Sequence, residues 1–291
     1  MSFDERGGVP VLRPSTTAEG RSPASRNGSS STTGTSAPRR RRLGGRSIIL
    51  GLIVPATLFV AWLLTSELSD IPDFLLPSPG QVVEAGVELA NSGLLATFVL
   101  ISLQRVLLGF VIGATVGLAL GALVGLSRLA SDLLSPLLGA IRAVPSLAWV
   151  PLLLIYLGIF EEPKITLIAI GAAFPVFTTV SGALRHVDPH LVEAGRAFGL
   201  GRLQLLTTVQ LPAVVPSIVS GLRLALAQAW LFLVAAELIA SSIGLGYLLT
   251  ESQNNGRMDR IYLAILLLAI LGKATDALVG LGERALLKRW S

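Results

Sequence analysis

Cysteine is absent from this chain of 291 residues, and histidine occurs only twice. Without cysteine, neither a disulfide framework nor a thiolate metal site can form. Charged residues are also scarce, at 14% of the chain, whereas a soluble domain has about 25%. Hydrophobic residues account for 52%. This composition argues against a soluble domain and indicates a membrane protein.

The positive charge of the chain is confined to its N-terminal tail. Residues 1–46 contain nine arginines and three acidic residues, a net charge of +6, whereas the remainder has a net charge of −1. No nucleic-acid partner is therefore expected. Residues 1–45 are rich in Ser, Thr, Gly and Pro, which predicts a disordered basic cytoplasmic tail. Its run of four arginines, residues 39–42, is expected to lie against the cytoplasmic leaflet of the lipid bilayer.

Six apolar segments predict an all-α membrane protein with six transmembrane helices, forming a membrane domain over residues 46–291. The segments are residues 48–64, 95–127, 133–157, 165–184, 213–238 and 261–281. Between the first two, residues 67–93 contain five acidic residues and no Lys or Arg. The positive-inside rule places that stretch outside and both termini in the cytoplasm. Within it, residues 80–90 predict a short amphipathic helix on the outer surface.

Two of the predicted spans carry a distinctive residue pattern. In the second span glycine recurs at every fourth position, at Gly109, Gly113, Gly117, Gly121 and Gly125. Such a stripe allows a neighbouring helix to approach to backbone contact, so we predict a helix packed against it. In the third span Pro145 and Pro151 each predict a kink, because proline removes a backbone hydrogen bond.

A short polar segment separates the fourth and fifth spans, on the predicted cytoplasmic side. Asp188-Pro189 is typical of an N-cap followed by the first residue of a helix. Gly199 is expected to end that helix, since glycine readily takes a left-handed conformation. A second short helix is predicted over residues 202–208, and Pro212 marks the start of the next apolar run. A helix-turn-helix of this kind at a membrane surface suits binding by a partner outside the membrane.

This polar segment resembles the EAA motif of ABC-importer permeases, which reads Glu-Ala-Ala, three residues, Gly, nine residues, Ile-x-Leu-Pro. Here Glu193-Ala194-Gly195, Gly199 and Val209-Gln210-Leu211-Pro212 have the same spacing, with Gly195 and Val209 as the two departures. Four further motifs, spread over residues 75–291, are similar to the subfamily of aliphatic sulfonate, taurine and nitrate permeases. They are Leu76-Pro77-Ser78-Pro79, Arg142-Ala143-Val144-Pro145, Ala236-Glu237 with Gly244-Leu245-Gly246-Tyr247, and Leu271-Gly272-Lys273.

The resemblance implies a type I ABC-importer permease fold, with its core at about residues 94–282 and a coupling loop over residues 188–212. It implies a multi-pass protein of a bacterial-type cell membrane that acts as a dimer, most often a homodimer. The other implied partners are two cytosolic ATPase subunits and an extracytoplasmic substrate-binding protein. ATP would be hydrolysed by the ATPase subunits, so no cofactor is expected on this chain. The implied substrate is an aliphatic sulfonate or a related small oxyanion such as taurine or nitrate.

Two groups of site residues follow from these considerations. The coupling loop would dock on the ATPase through Glu193, Ala194, Gly195, Arg196, Phe198, Gly199, Val209, Leu211 and Pro212. Charged residues within the predicted spans are costly in lipid, and the candidates for a function there are Arg105, Arg142, Arg223, Glu237 and Lys273. Of these, Arg142, Arg223 and Glu237 are candidates for a translocation pathway. The competing interpretation, which we favour, is structural: Arg223 and Glu237 each pair with a neighbouring helix, and Lys273 pairs with Asp276.

Other functional classes fit the residues less well. Leu271-Gly272-Lys273-Ala274-Thr275 matches only part of a phosphate loop and lies inside an apolar span, so no ATPase site is expected. The histidines, His186 and His190, sit at the predicted cytosolic edge, and no HExxH motif is present, so no metal site is expected. An enzyme is therefore not expected. The alternatives left open are a permease for another small solute such as a vitamin precursor, an exporter, a passive channel and a membrane-embedded enzyme.

Overall fold

Helices are the only regular secondary structure among residues 45–69, 71–72 and 74–290, the part of the chain that this computed structural model describes. Side chains are described from residue 53 to 284, except at 70, 73 and 146. Residues 1–44 of the predicted disordered tail lie outside the described part of the chain. Residues 1–52 and 53–291 form separate units, and all the described side chains belong to the second. The helices are Gly45–Leu68 (α1), Pro79–Asn91 (α2), Leu94–Leu126 (α3), Arg128–Ala143 (α4), Val150–Leu157 (α5), Glu162–Arg185 (α6), Pro189–Ala197 (α7), Arg202–Leu205 (α8), Leu211–Ala240 (α9), Leu245–Asn254 (α10) and Met258–Trp290 (α11).

Four helices in the described part of the chain are long and apolar enough to cross a membrane. They are Leu94–Leu126, Glu162–Arg185, Arg202–Ala240 and Met258–Arg284. A fifth crossing results if α4 and residues Leu147–Leu157 are counted as one broken span. The first predicted span falls in α1, whose apolar part with described side chains, Ile53–Leu68, is shorter. The helical membrane fold is thus confirmed, whereas the count of six and the side of the termini stay predictions.

The centre of the molecule is formed by α3, α6 and α9. Its buried side chains include Val106 of α3, Ile168 of α6 and Leu233 of α9. The five glycines of α3 face α6, as shown by Gly117: a Cβ there would lie 2.5 Å from the carbonyl oxygen of Ala173 and 2.8 Å from Cβ of Val176. The helix predicted to pack against the glycine stripe is therefore α6, and the approach reaches its backbone.

The third predicted span consists of two helical segments separated by a sharp break, not of one kinked helix, so the prediction of kinks is wrong. Helix α4 ends at Ala143, and residues Leu147–Leu157 leave it at 85°. Val144 is extended, with φ −72° and ψ 123°, because the ring of Pro145 disfavours the helical conformation in the residue before it. Pro151 lies in the first turn of α5, where its missing N–H costs no hydrogen bond. It therefore begins a helix instead of bending one.

Two short helices, α2 and α10, pack on the central bundle next to α11. Helix α2 corresponds to the short helix predicted over residues 80–90. At its start the Ser78 hydroxyl accepts from the Gln81 amide, the Gln81 side chain accepts from the Ser78 amide, and Pro79 is the first residue. Helix α10 lies in the connection between the last two spans, for which no element is predicted. Its Leu245 and Leu248 are fully buried, together with Leu89 of α2 and Ala264 of α11.

Candidate functional site

The polar segment between α6 and α9 folds as a helix-turn-helix, as its end signals predict. The Asp188 carboxylate accepts from the His190 amide at 2.9 Å, and Pro189 opens α7. At the other end Gly199 has φ 78°, the left-handed conformation expected of it. Its amide donates to the Arg196 carbonyl at 2.9 Å, and the Leu200 amide donates to the Gly195 carbonyl at 3.1 Å. The last carbonyls of α7 are thereby satisfied within the turn.

The second helix of this segment does not end before the apolar run, contrary to the prediction of a separate helix over residues 202–208. Helix α8 passes through a π-helical turn, Leu206–Gln210, directly into α9. In this wider turn the Leu211 amide donates to the Leu206 carbonyl. Pro212 follows, and proline can supply no N–H of its own and crowds the carbonyl four residues earlier. The turn accommodates Pro212 without breaking the helix.

The predicted coupling residues differ in their exposure to solvent. Glu193, Ala194, Arg196, Phe198, Gly199 and Leu211 are exposed, whereas Val209 and Pro212 are half-buried and Gly195 is buried. The Phe198 side chain is 87% exposed, which is unusual for an aromatic residue. At Gly195 a Cβ would lie 2.6 Å from Cδ1 of Leu205. Glycine in place of the motif's second alanine therefore lets α7 lie close against α8.

A buried network of charges forms a second site, away from the helix-turn-helix. It joins α3, the start of α6, the end of α9 and the start of α10. Arg105 of α3 is 2% exposed and Glu237 of α9 is 1% exposed. Arg105 Nη1 donates to Glu237 Oε1 at 2.8 Å and to the Ile243 carbonyl at 2.6 Å. The Ser102 hydroxyl donates to both Glu237 oxygens and accepts from the Leu245 amide at 2.8 Å.

Two glycines give Glu237 its place beside α10. The Gly246 amide donates to Glu237 Oε2 at 2.7 Å, and a Cβ on Gly246 would lie 2.6 Å from Cβ of Glu237. Gly244 has φ 125°, and a Cβ there would lie 2.6 Å from Cδ of Glu237. The Gly-Leu-Gly sequence therefore allows the backbone to approach the carboxylate, which no larger residue would permit.

Glu161 closes the network at its exposed end. Arg105 donates two hydrogen bonds to its carboxylate, from Nε and Nη2, each at 2.6 Å. Lys164 Nζ, which is buried, contacts Glu161 Oε1 at 3.2 Å. The guanidinium of Arg105, helped by Lys164, lowers the pKa of Glu161 from 4.5 to about 2. Glu161 is therefore ionised at any physiological pH.

The remaining charges in the predicted spans differ in their surroundings. Arg223 of α9 bonds Asp276 and Glu283 of α11, the first through two hydrogen bonds of 3.0 Å. Lys273 lies 3.6 Å from Asp276, as predicted. Both Arg223 and Glu237 thus have partners on another helix, in agreement with the structural interpretation. Arg142 has no side-chain hydrogen bond or ion pair within the described residues and borders a cavity of about 260 Å³.

The sequence signalled only some of these residues. Arg105 and Glu237 stood out as charges in apolar segments, but Ser102, Glu161 and Lys164 were not singled out. Glu161 is 56 residues from Arg105 along the chain, and Ser102 is 135 from Glu237. The usable signal was indirect: a charge in an apolar helix with no opposite charge within reach on the same helix requires a partner elsewhere.

A surface ion-pair cluster lies between α2 and the start of α11. Arg257 and Arg260 both donate to Glu88, at 2.9 and 3.0 Å, and Arg257 also contacts Asp259 at 2.8 Å. Their hydrogen bonds, that of Arg257 first, lower the pKa of Glu88. The two arginines are thus neutralised by the carboxylates of Glu88 and Asp259.

The comparisons with known proteins agree with the fold. Residues 113–288 match the family described as binding-protein-dependent transport system inner membrane component. The chain is 38% identical over 251 residues to the putative aliphatic sulfonates transport permease protein SsuC of Bacillus subtilis (strain 168), covering 86% of this chain and 90% of that protein. The Escherichia coli (strain K12) protein of the same name is 40% identical over 82% of this chain and 90% of its own length. The taurine transport system permease protein TauC of Escherichia coli (strain K12) is 33% identical over 84% of this chain and 89% of its own length.

A solved structure shares the architecture. An inward-facing structure of the MetNI methionine ABC transporter superposes with a TM-score of 0.58, covering 69% of this chain and 98% of the matched chain. The sequence identity is 22%, so this likeness concerns the fold alone.

Proposed function

Because the chain belongs to the family of inner membrane components of binding-protein-dependent transport systems, as an ABC-importer permease, we propose that it carries aliphatic sulfonates or a related small oxyanion. The observation that carries the substrate class is the identity of 38–40%, over more than four fifths of this chain, to two aliphatic sulfonate permeases. Taurine, itself a sulfonate, and nitrate are the related oxyanions, since TauC and a nitrate import permease of Leptolyngbya laminosa are also similar.

The helix-turn-helix over residues 188–212 is the proposed contact with the cytosolic ATPase subunits. Its exposed surface combines Glu193, Arg196 and the aromatic ring of Phe198. A large exposed aromatic residue among polar neighbours is typical of a surface that binds another protein. ATP-driven closure of the two ATPase subunits would displace α7, and the continuous helix Arg202–Ala240 would carry that displacement into the membrane.

The proposed complex is a dimer of this permease with two ATPase subunits and an extracytoplasmic binding protein. The family description supports the binding protein, and the name of the similar nitrate import permease supports the import direction. The dimer rests on the resemblance to the sulfonate permeases. ATP is hydrolysed in this proposal by the ATPase subunits alone, and the permease contributes the path.

Among the candidate pathway residues, Arg142 is the one we propose to meet the substrate. Its guanidinium borders the cavity between α4, α6 and α9, which Thr178 and Gln228 also line. A guanidinium without a carboxylate partner can bind an oxyanion through paired N–H donors. Arg223 and Glu237 already have ionic partners, so we propose that they hold helices together.

Uptake into proteoliposomes tests the substrate class. The permease is reconstituted with its ATPase and binding protein, and uptake of radiolabelled ethanesulfonate and of a cationic solute is measured with and without ATP. Ethanesulfonate is expected to accumulate only with ATP. Uptake of the cation or a neutral solute alone would reject the oxyanion proposal, and uptake that persists without ATP hydrolysis would indicate a channel.

The coupling loop is tested separately, with variants that leave the membrane helices unchanged. Glu193→Arg reverses an exposed charge, and Gly199→Val places a branched residue at φ 78°. Both are expected to reduce ATP-driven uptake by at least about tenfold, and to reduce co-purification of the ATPase, while the permease still inserts. Asp132→Arg, an exposed charge reversal on α4, is the matched control. Normal uptake by both loop variants would show that this loop is not the coupling site.

A further inference from the structure

A basic groove lies where α3 ends and α4 begins, beside α8. Its volume is about 760 Å³, and Arg128, Arg196 and Arg202 line it. All three side chains are exposed, and no acidic side chain is among the lining residues. None of the three guanidinium groups forms an ion pair or hydrogen bond with another described residue. Three unneutralised positive charges therefore face one space.

The same groove has an apolar part. Leu126 and Leu203 line it, and their side chains are 45% and 75% exposed. Leucine is unfavourable beside water at this exposure, whereas it is well placed against hydrocarbon. The groove thus offers positive charge and apolar surface together, which suits an amphiphile better than a simple ion.

The position of the groove along α3 gives its depth in the membrane. The apolar helix Leu94–Leu126 has 33 residues, and Arg128 lies two positions beyond its end. It therefore lies near the boundary between hydrocarbon and headgroups. The positive-inside rule assigns this end of the bundle to the cytoplasmic leaflet, whose anionic lipids attract such arginines.

We propose that the groove is a binding site for the phosphate of an anionic phospholipid. The guanidinium groups of Arg128 and Arg202 would donate to the phosphate oxygens, since arginine binds phosphate through paired N–H donors. Leu126 and Leu203 would contact the start of the acyl chains. A bound lipid would join the turn between α3 and α4 to α8, so that it links the membrane bundle to the second helix of the coupling loop.

Lipid binding by the purified full-length permease tests this proposal. Native mass spectrometry measures how much dioleoylphosphatidylglycerol and dioleoylphosphatidylcholine the protein retains as each lipid is titrated. The wild-type protein is expected to bind phosphatidylglycerol more tightly than phosphatidylcholine. The double variant Arg128→Gln with Arg202→Gln is expected to bind it about tenfold more weakly, because two phosphate contacts are lost.

The control removes the same charge elsewhere. Lys273→Gln with Arg284→Gln takes away two exposed positive charges outside the groove and should leave phosphatidylglycerol binding unchanged. Equal binding by the groove variant and the wild type would overturn the proposal. Displacement of the lipid by millimolar inorganic phosphate would also overturn it, since the site would then be one for free anions. A groove variant that keeps the lipid but no longer co-purifies with the ATPase would likewise overturn the proposal, because the groove would then be a contact with the ATPase.

Discussion

Glu237 is a carboxylate inside an apolar bundle, and the groups around it explain how it is tolerated there. Arg105, Ser102 and the Gly246 amide all donate to it, so both of its oxygens are satisfied. A buried charge of this kind contributes little when compared with an apolar core, but removing one partner leaves the other uncompensated. At the scale of single residues, therefore, the network fixes the arrangement of four helices more than it adds stability.

Arg105→Ala is accordingly expected to lower the free energy of unfolding by about 3 to 5 kcal/mol, because it leaves the buried Glu237 carboxylate without its ionic partner. Denaturant unfolding in mixed micelles measures the change. Asp132→Ala removes an exposed charge outside the predicted spans that has no ion pair with another described residue, and should cost under about 1 kcal/mol. Similar stability of the two variants would contradict the structural role of the Arg105–Glu237 pair.

The pH dependence of stability reports on Glu161. Its pKa is lowered from 4.5 to about 2, so its ion pair with Arg105 stabilises the folded state fully above pH 4.5. That contribution is lost as the pH falls from 4.5 through about 2. The difference in unfolding midpoint between wild type and Glu161→Gln should therefore be constant above pH 5 and shrink toward pH 2. Glu162→Gln is the matched control, and a difference independent of pH would contradict the assignment.

Among the elements, α3 and α6 approach each other to backbone contact. Five glycines remove the side chains that would separate the two backbones. The repeat of four residues revealed this face from the sequence, because the helical period is local information. The identity of the partner helix was not available from the repeat, since any neighbouring helix could have used it.

Gly117→Ala is expected to destabilise the protein by about 1 to 3 kcal/mol, because the new Cβ would lie 2.5 Å from the carbonyl oxygen of Ala173. Relieving this clash requires the backbones of α3 and α6 to move apart. The thermal unfolding midpoint in detergent measures the loss of stability. Gly139→Ala on α4 is the control: a Cβ there meets nothing within 4 Å, so this variant should be neutral or slightly more stable. Equal midpoints for the two variants would show that the α3–α6 contact is looser than described.

Local signals were the most reliable guide to the elements as well. Helix α7 begins after Asp188 at Pro189 and ends before Gly199, as predicted, because a helix cap depends on neighbouring residues only. The proline pair in the third span was misjudged, since whether a proline bends or begins a helix depends on the turn before it. Helix α10 was missed because its amphipathic face is short and is buried by three other helices.

For the whole molecule, the sequence supplied the class and the family resemblance, and the structure supplied the contacts. Composition alone indicated a membrane protein, and the spacing around Glu193 indicated the permease family to which the chain belongs. The Arg105 network required the folded chain, because its members come from three stretches that are far apart in sequence, residues 102–105, 161–164 and 237–246. Topology relative to the membrane is still a prediction from charge.

The absence of cysteine makes that topology directly measurable. Asn91→Cys and His190→Cys each place one exposed thiol in the chain, on α2 and on α7. In intact cells a membrane-impermeant maleimide should label only Asn91→Cys, and His190→Cys should react only after permeabilisation. The unaltered protein is the control, since it has no thiol. Labelling of His190→Cys in intact cells would place the helix-turn-helix outside and overturn the predicted orientation.

The uninterrupted helix Arg202–Ala240 has a mechanical consequence. At 1.5 Å per residue its 39 residues extend about 58 Å, nearly twice the hydrocarbon thickness of about 30 Å. One end adjoins the coupling loop and the other bears Glu237, anchored to α3 and α10. A rod held at one end pivots when it is pushed at the other. A tilt of a few degrees about the anchored end therefore moves the opposite end, at the proposed coupling loop, by several ångströms.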